Sequence, residues 1–163
     1  MRDEEEFVSY VRADGSELLR LATLLVGHVD ADDLVQTCLI RVLGAWQRAR
    51  ENPRPYSRRV LARLATDRWR RLLSRPAHDP LPAVVVSTDD RIAEVDARDA
   101  VIRALSQLPA RQRATLVLRY FEQLSEAETA DALGVSPGTV KTHAARGLDS
   151  LRRSLSTSEG HHA

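Results

Sequence analysis

The sequence predicts an all-α protein built as two small helical domains joined by a flexible linker. Three observations carry this reading. Apolar residues recur at three- and four-residue intervals in both halves of the chain. No alternating polar and apolar run of useful length occurs, and the "AVVV" of residues 83–86 is only a weak strand candidate. Between the periodic halves, "SRPAHDPLPAVVVSTDD" at residues 74–90 holds three prolines and no helical period. With 163 residues, 43% hydrophobic and 4% aromatic, the chain has the material for modest cores. The expected division is a first domain at 1–75, a linker at 76–90, a second domain at 91–157 and a tail at 158–163.

A first helix is expected from about Asp3 to Val26, with Gly15 as a break before Leu18, Leu21, Ala22 and Leu25. A second should open at Asp30 as N-cap with Asp33 at N3, where negative charge meets the positive helix end. Leu34, Val35, Cys38, Leu39, Val42 and Trp46 follow it at helical spacing. Pro53 and Pro55 are expected to interrupt the chain before a third helix from about Tyr56 to Leu73. On that helix Leu61, Leu64 and Leu72 gather on one side, with Arg59, Arg63, Thr66 and Arg70 opposite. Tyr56, Trp46 and Trp69 lie near this basic segment, and arginine interleaved with aromatics suits phosphate contact with base stacking. In a chain this poor in aromatics, core packing is the favoured role for the tryptophans.

Beyond the linker, Ile92, Val95, Ile102, Leu105 and Leu108 form a stripe that stops at Pro109. A helix over about 110–122 should turn Ala114, Val117, Leu118 and Phe121 inward. Next, Ser125 and Glu128 have capping-box spacing, and the helix they start runs to Leu133, where Gly134 permits a left-handed turn. Ser136 caps the last helix with Pro137 at its first position, and Val140, Ala144, Leu148, Leu151 and Leu155 share one face. Cap, tight turn and longer helix together form a helix-turn-helix signature. In that motif the start of the second helix enters the DNA major groove. Gly138 would let the backbone come close, and Lys141, the only lysine in the chain, would contact phosphate or a base edge. Thr139, Thr142 and His143 lie beside it, with Arg146 further along.

The net charge of +1 conceals a segregated pattern. Residues 1–40 hold nine acids and three arginines, whereas residues 41–75 hold eleven arginines against Glu51 and Asp67. Residues 76–100 swing back to six acids and two arginines. This alternation fits an acidic face for a basic protein surface and arginine-rich faces for phosphate. No run reaches the roughly 18 to 20 apolar residues of a membrane span, and "MRDEEEF" is acidic where a signal peptide is basic, so a cytoplasmic protein without membrane insertion is expected. A lone Cys38 excludes an internal disulfide and a cysteine-rich zinc site, and reads as a small buried apolar residue. His161 and His162 read as part of a disordered tail rather than a metal site. Neither a metal nor a cofactor is expected.

Three stretches bring a family into view. "LPARQRATLVLRYFEQLSEAETADALGVSPGTVKTHAARGLDSLRRSL" resembles region 4 of bacterial RNA polymerase sigma factors of the extracytoplasmic-function group, and "DADDLVQTCLIRVLGAW" with "YSRRVLARLATDRWRR" resembles their region 2. The resemblance is colinear from about Leu18 to Leu155, with a short linker replacing the middle domain of larger sigma factors. It implies a non-catalytic initiation factor that binds core RNA polymerase at its clamp helices and flap and directs it to promoter DNA. It places Asp32, Asp33, Leu34, Val35 and Gln36 on the clamp helices. It assigns the −10 element to Tyr56, Arg58, Arg59 and Arg63, with "RENPRPY" cradling an unstacked base. The −35 element falls to Ser136, Pro137, Gly138, Thr139, Lys141, Thr142, His143 and Arg146. An inhibitory anti-sigma partner is also implied. The chain departs from the family pattern at Arg63, where members commonly carry asparagine, and at Thr142 and His143, where they commonly carry Ser-Arg.

Two other function classes compete. A dimeric helix-turn-helix repressor or activator would use the C-terminal half alone, and "GTVKTH" is also close to response-regulator output domains. It needs neither the arginine-rich third helix nor the acidic second one, and the N-terminal half lacks the strand-ending aspartates of a receiver domain. A nucleic-acid hydrolase would need paired carboxylates, but "DADD" is accounted for by helix capping and "STDD" lies in the expected linker.

Overall fold

A computed structural model describes the backbone of residues 1–73 and 93–159, and side chains over 1–71 and 97–157. The expected linker, the tail beyond Glu159, the strand candidate at 83–86, Ile92, His161, His162 and the side chains of Leu72 and Val95 lie outside these residues. Every regular element among the described residues is helical. The chain divides into two compact units, Met1–Ser74 and Arg75–Ala163.

The first unit opens with α1 (Arg2–Val26), whose first turn carries Asp3, Glu4 and Glu5 at the positive end of the helix dipole. Gly15 does not break it. An added Cβ there would meet Val11 Cγ1 at 3.9 Å, an ordinary contact, and the apolar stripe on either side keeps the helix continuous. The break falls at Gly27, which ends α1 and begins α2 (His28–Gly44). Its φ of 84° and ψ of 171° belong to a region essentially reserved for glycine. Asp30 therefore stands in the first turn of α2 rather than at its cap, and it pairs with Arg68 instead. The one-turn helix α3 (Trp46–Ala49) follows, then α4 (Pro53–Leu73).

The two prolines do not interrupt the chain; they start α4. Pro53 occupies its first position and Pro55 its first turn, where a missing N–H costs nothing. Leu21 and Leu25 of α1, Cys38 and Val42 of α2, and Leu61 and Ala65 of α4 are fully buried at the centre. Trp46 and Trp69 are buried as well, so they serve the core and not base stacking. A polar contact crosses this core: Tyr10 Oη donates to Ser57 Oγ at 2.7 Å, while Cys38 Sγ lies 3.4 Å from the Ser57 carbonyl.

The second unit comprises α5 (Ala93–Ser106), α6 (Ala110–Leu116) with a π-helical turn over Val117–Phe121, α7 (Glu126–Leu133) and α8 (Pro137–Glu159). Ile102, Leu105 and Leu108 are buried as their stripe requires. Five consecutive residues, Ala114 to Leu118, are also buried, because the wider π turn shifts the helical register. The same shift turns Phe121 outward, 47% exposed, against the expectation of an inward ring. Leu155 is likewise exposed, since the last turns of α8 run past the packed part of the unit. Gly147 was invisible as a packing residue in the sequence. An added Cβ would lie 2.9 Å from Leu116 Cδ1, so glycine sets the closeness of α8 to α6.

Candidate functional site

In the second unit, α7 and α8 are held by caps that the sequence encodes locally. Ser125 Oγ accepts from the Glu128 amide at 3.1 Å, and Glu128 Oε2 accepts from the Ser125 amide at 2.7 Å. That backbone hydrogen bond holds the Glu128 carboxyl below the usual carboxylate range. Gly134 closes α7 in the left-handed conformation, φ 65° and ψ 38°, and the Val135 amide reaches back to the Ala130 carbonyl at 3.0 Å. Ser136 Oγ then accepts from the Thr139 amide at 3.1 Å and starts α8. Fully buried Val140 and Thr129 secure the crossing of the two helices.

This leaves Ser136, Pro137, Gly138, Lys141, Thr142 and Arg146 exposed, with Thr139 and His143 half-buried beside them. All eight sequence-predicted residues thus gather on the first turns of one helix. Their hydrogen bonds limit what they can offer a ligand. Thr142 Oγ1 donates to the Gly138 carbonyl at 3.1 Å, so outward it can only accept. Thr139 Oγ1 and Ser136 Oγ are hydrogen-bonded to each other at 2.8 Å, and either hydroxyl can be the donor. Lys141 Nζ lies 3.7 Å from Glu126 Oε2 at the start of α7, which an anionic ligand would have to replace.

In the first unit, Arg59, Arg63 and Arg70 are exposed along the outward side of α4, with Tyr56 half-buried at its start. Arg58 does not join them: five residues from Arg63, it stands about 140° round the helix and is half-buried. The expected cradle over residues 50–56 is mostly helix; Arg50–Asn52 alone forms the link between α3 and α4. Both of its arginines pair with carboxylates of α1. Arg50 Nη1 donates to Asp3 Oδ1 at 2.9 Å and Arg50 Nη2 approaches Glu6 Oε2 at 3.7 Å, while Arg54 pairs with the buried Asp14. The acidic and basic blocks of the sequence therefore partly neutralise each other within the fold.

On α2, Asp32, Asp33 and Gln36 are exposed, but Leu34 and Val35 are not. At 6% and 9% exposure they belong to the core, because they sit on the Ala31, Cys38 and Val42 side of the helix. The outward face carries other apolar side chains that sequence reasoning missed. Val29 and Leu43 are exposed and Ile40 is 71% exposed, at three- and four-residue steps from Asp33 and Gln36. Apolar residues falling outside the 34, 35, 38, 42 stripe were the signal available. Among the described residues no helix is long and apolar enough to cross a membrane, and no group of His, Cys, Asp and Glu is placed to hold a metal ion.

Comparison with known proteins matches both units to one family. The family model for sigma-70 region 2 matches residues 10–75, and that for sigma-70 region 4 matches residues 98–151. The chain is 41% identical over 154 residues to an RNA polymerase sigma-E factor of Streptomyces avermitilis, covering 92% of this chain and 85% of the relative. It is 36% identical over 157 residues to the ECF RNA polymerase sigma factor SigM of Mycobacterium tuberculosis, covering 94% and 79%. Its fold is similar to that of the sigma factor RpoE from Bartonella quintana, solved in complex with the anti-sigma factor NepR. The TM-score is 0.68 at 21% identity, over 93% of this chain and 98% of that one.

Proposed function

The chain belongs to the extracytoplasmic-function group of RNA polymerase sigma factors, and from that premise we propose how its surfaces divide the work of transcription initiation. The outward face of α2, with Asp32, Asp33, Gln36, Ile40 and Leu43, docks on the clamp helices of core RNA polymerase. Apolar side chains within an acidic rim supply desolvated area at the centre and steering at the edge. The second unit engages the polymerase flap. The exposed start of α8 enters the major groove of the −35 element, where Lys141 and Arg146 supply donors and Thr142 an acceptor. Arg59 and Arg63 on α4 hold phosphates of the opening −10 strand, and Tyr56 stacks on a base that leaves the duplex near Arg50–Asn52.

The observation that carries this division is the coexistence of a capped helix-turn-helix with a separate unit bearing an exposed arginine row. A duplex-binding repressor leaves residues 10–75 without a purpose and is not favoured. The factor supplies no catalytic group of its own; bond formation belongs to the polymerase. It works in the cytoplasm, where the polymerase is. An anti-sigma factor that covers the α2 face is the proposed regulator, as NepR is the anti-sigma partner in the solved RpoE complex.

The reading is tested by footprinting a holoenzyme reconstituted from this chain and core polymerase on genomic promoter fragments. Protection of two segments, with the upstream one lost in the Lys141→Ala, Arg146→Ala variant, is expected. Unaltered upstream protection in that variant would remove α8 from the −35 role.

A further inference from the structure

We propose that Asp3, Glu6 and Asp14 of α1 are positioning residues for promoter opening: they hold Arg50 and Arg54 and so fix the Arg50–Tyr56 segment. This rests on the reading that an unstacked −10 base is captured there. The contacts repeat along α1. Asp3 accepts hydrogen bonds from Arg50 and Gln47, Glu6 lies against Arg50, and Asp14 pairs with Arg54. Between these carboxylates, the Phe7 ring meets Trp46 edge-on at 5.2 Å, and Tyr10 reaches Ser57 and, at 3.5 Å, the Pro53 carbonyl. Three turns of one helix thus grip the chain on both sides of the Arg50–Asn52 link.

Backbone hydrogen bonds hold part of the link: the Arg50 amide donates to the Trp46 carbonyl at 2.8 Å, the Asn52 amide to the Ala49 carbonyl at 3.1 Å and the Tyr56 amide to the Asn52 carbonyl at 3.4 Å. Proline sets φ at residues 53 and 55, whereas the side chains of Glu51 and Asn52 are exposed. Arg50 and Arg54 bracket these residues, and each is tied to α1 by charge. The half-exposed Arg50 pair alone contributes little, but together with the Arg54 pair to the buried Asp14, and with an aromatic contact between them, it restricts the same short segment. A capture site held in place avoids the ordering cost that a loose one meets when the base arrives. Arg50 and Arg54 consequently act through geometry, with their guanidinium groups turned to carboxylates of the same chain rather than to DNA phosphate.

The test uses holoenzyme assembled from the full chain and core RNA polymerase on a promoter duplex that the wild-type holoenzyme opens, followed by permanganate reactivity of unpaired thymines. An Asp3→Asn, Glu6→Gln variant is expected to bind core polymerase normally but to open the duplex roughly three- to tenfold more slowly, the scale a small ion-pair network supports. On the same promoter carrying a pre-opened mismatched bubble, most of the deficit should vanish. Arg50→Asp should slow opening similarly, and adding Asp3→Arg should restore it by reversing the pair. Failure of that restoration would mean Arg50 touches DNA directly and would overturn the proposal, as would wild-type opening by the carboxamide variant. A Tyr56→Ala variant separates the two readings. If it is slow while the carboxamide variant is normal, only the positioning role falls. If it opens DNA at the wild-type rate, base capture at this segment falls and takes the positioning role with it.

Discussion

Single residues carry much of the local geometry, and several make opposite demands on a substitution. Gly147 faces the fully buried Leu116, so Gly147→Ala adds overpacking of about 1–3 kcal/mol that exceeds the helix-propensity gain, and urea unfolding should show a net loss. Gln123 stands at φ 55°, a left-handed position that costs a side chain about 1 kcal/mol, so Gln123→Gly should raise the unfolding midpoint. The Cys38 thiol is pushed up to about 12, chiefly by burial, with Arg41 pulling weakly the other way. Its neutral form is the one the fold favours. The associated stability is therefore complete below the ordinary thiol value of 9.0 and is lost as pH rises from there towards 12. Thiol reagents at pH 8 should leave the native chain unmodified and label it once urea unfolds it. Rapid labelling of the folded chain would contradict the burial.

Elements differ in how plainly the sequence announced them, and the difference follows from where the deciding contacts lie. The caps and turn of the α7–α8 pair were legible because their determinants are local: Ser125, Glu128, Gly134 and Ser136 each act on backbone within a few residues. Ser125→Ala should cost about 1 kcal/mol in unfolding experiments for the same reason. At α2 the cap was misplaced by three residues. Asp30 has the chemistry of a cap, but Gly27 turns the chain earlier and Arg68, distant in sequence, takes the carboxylate. The α4 start was missed because paired prolines signal both a break and a first turn, and only tertiary contact with α1 decides between them. Likewise the docking face proposed for α2 exchanges Leu34 and Val35 for Ile40 and Leu43, since Leu34 and Ile40 are alike in composition and differ only in what packs against them. For α4, Arg63→Ala should reduce the slope of log binding constant against log salt by about 0.7–0.9 on promoter DNA, as expected for one lost phosphate contact. An unchanged slope would place Arg63 away from the backbone.

At the scale of the whole molecule, a near-neutral chain hides two charged programmes that the fold partly cancels and partly displays. Asp3, Glu6, Asp14 and Asp30 are matched inside the first unit by Arg50, Arg54 and Arg68. Asp32 and Asp33 on α2, and Arg63 and Arg70 on α4, stay exposed. The proposed roles draw on what remains on display: an acidic, apolar-centred face offered to protein and cationic rows offered to nucleic acid. Recruitment to core polymerase is the step on which every other role depends. It is tested most directly by size-exclusion co-elution of the purified chain with core RNA polymerase, alongside an Asp33→Arg, Ile40→Ala variant whose substitutions lie on the exposed side of α2 and spare the core. Co-elution of the intact chain, lost in the variant, is the result this account predicts; co-elution that survives both substitutions, or an intact chain that ignores the polymerase, would contradict it.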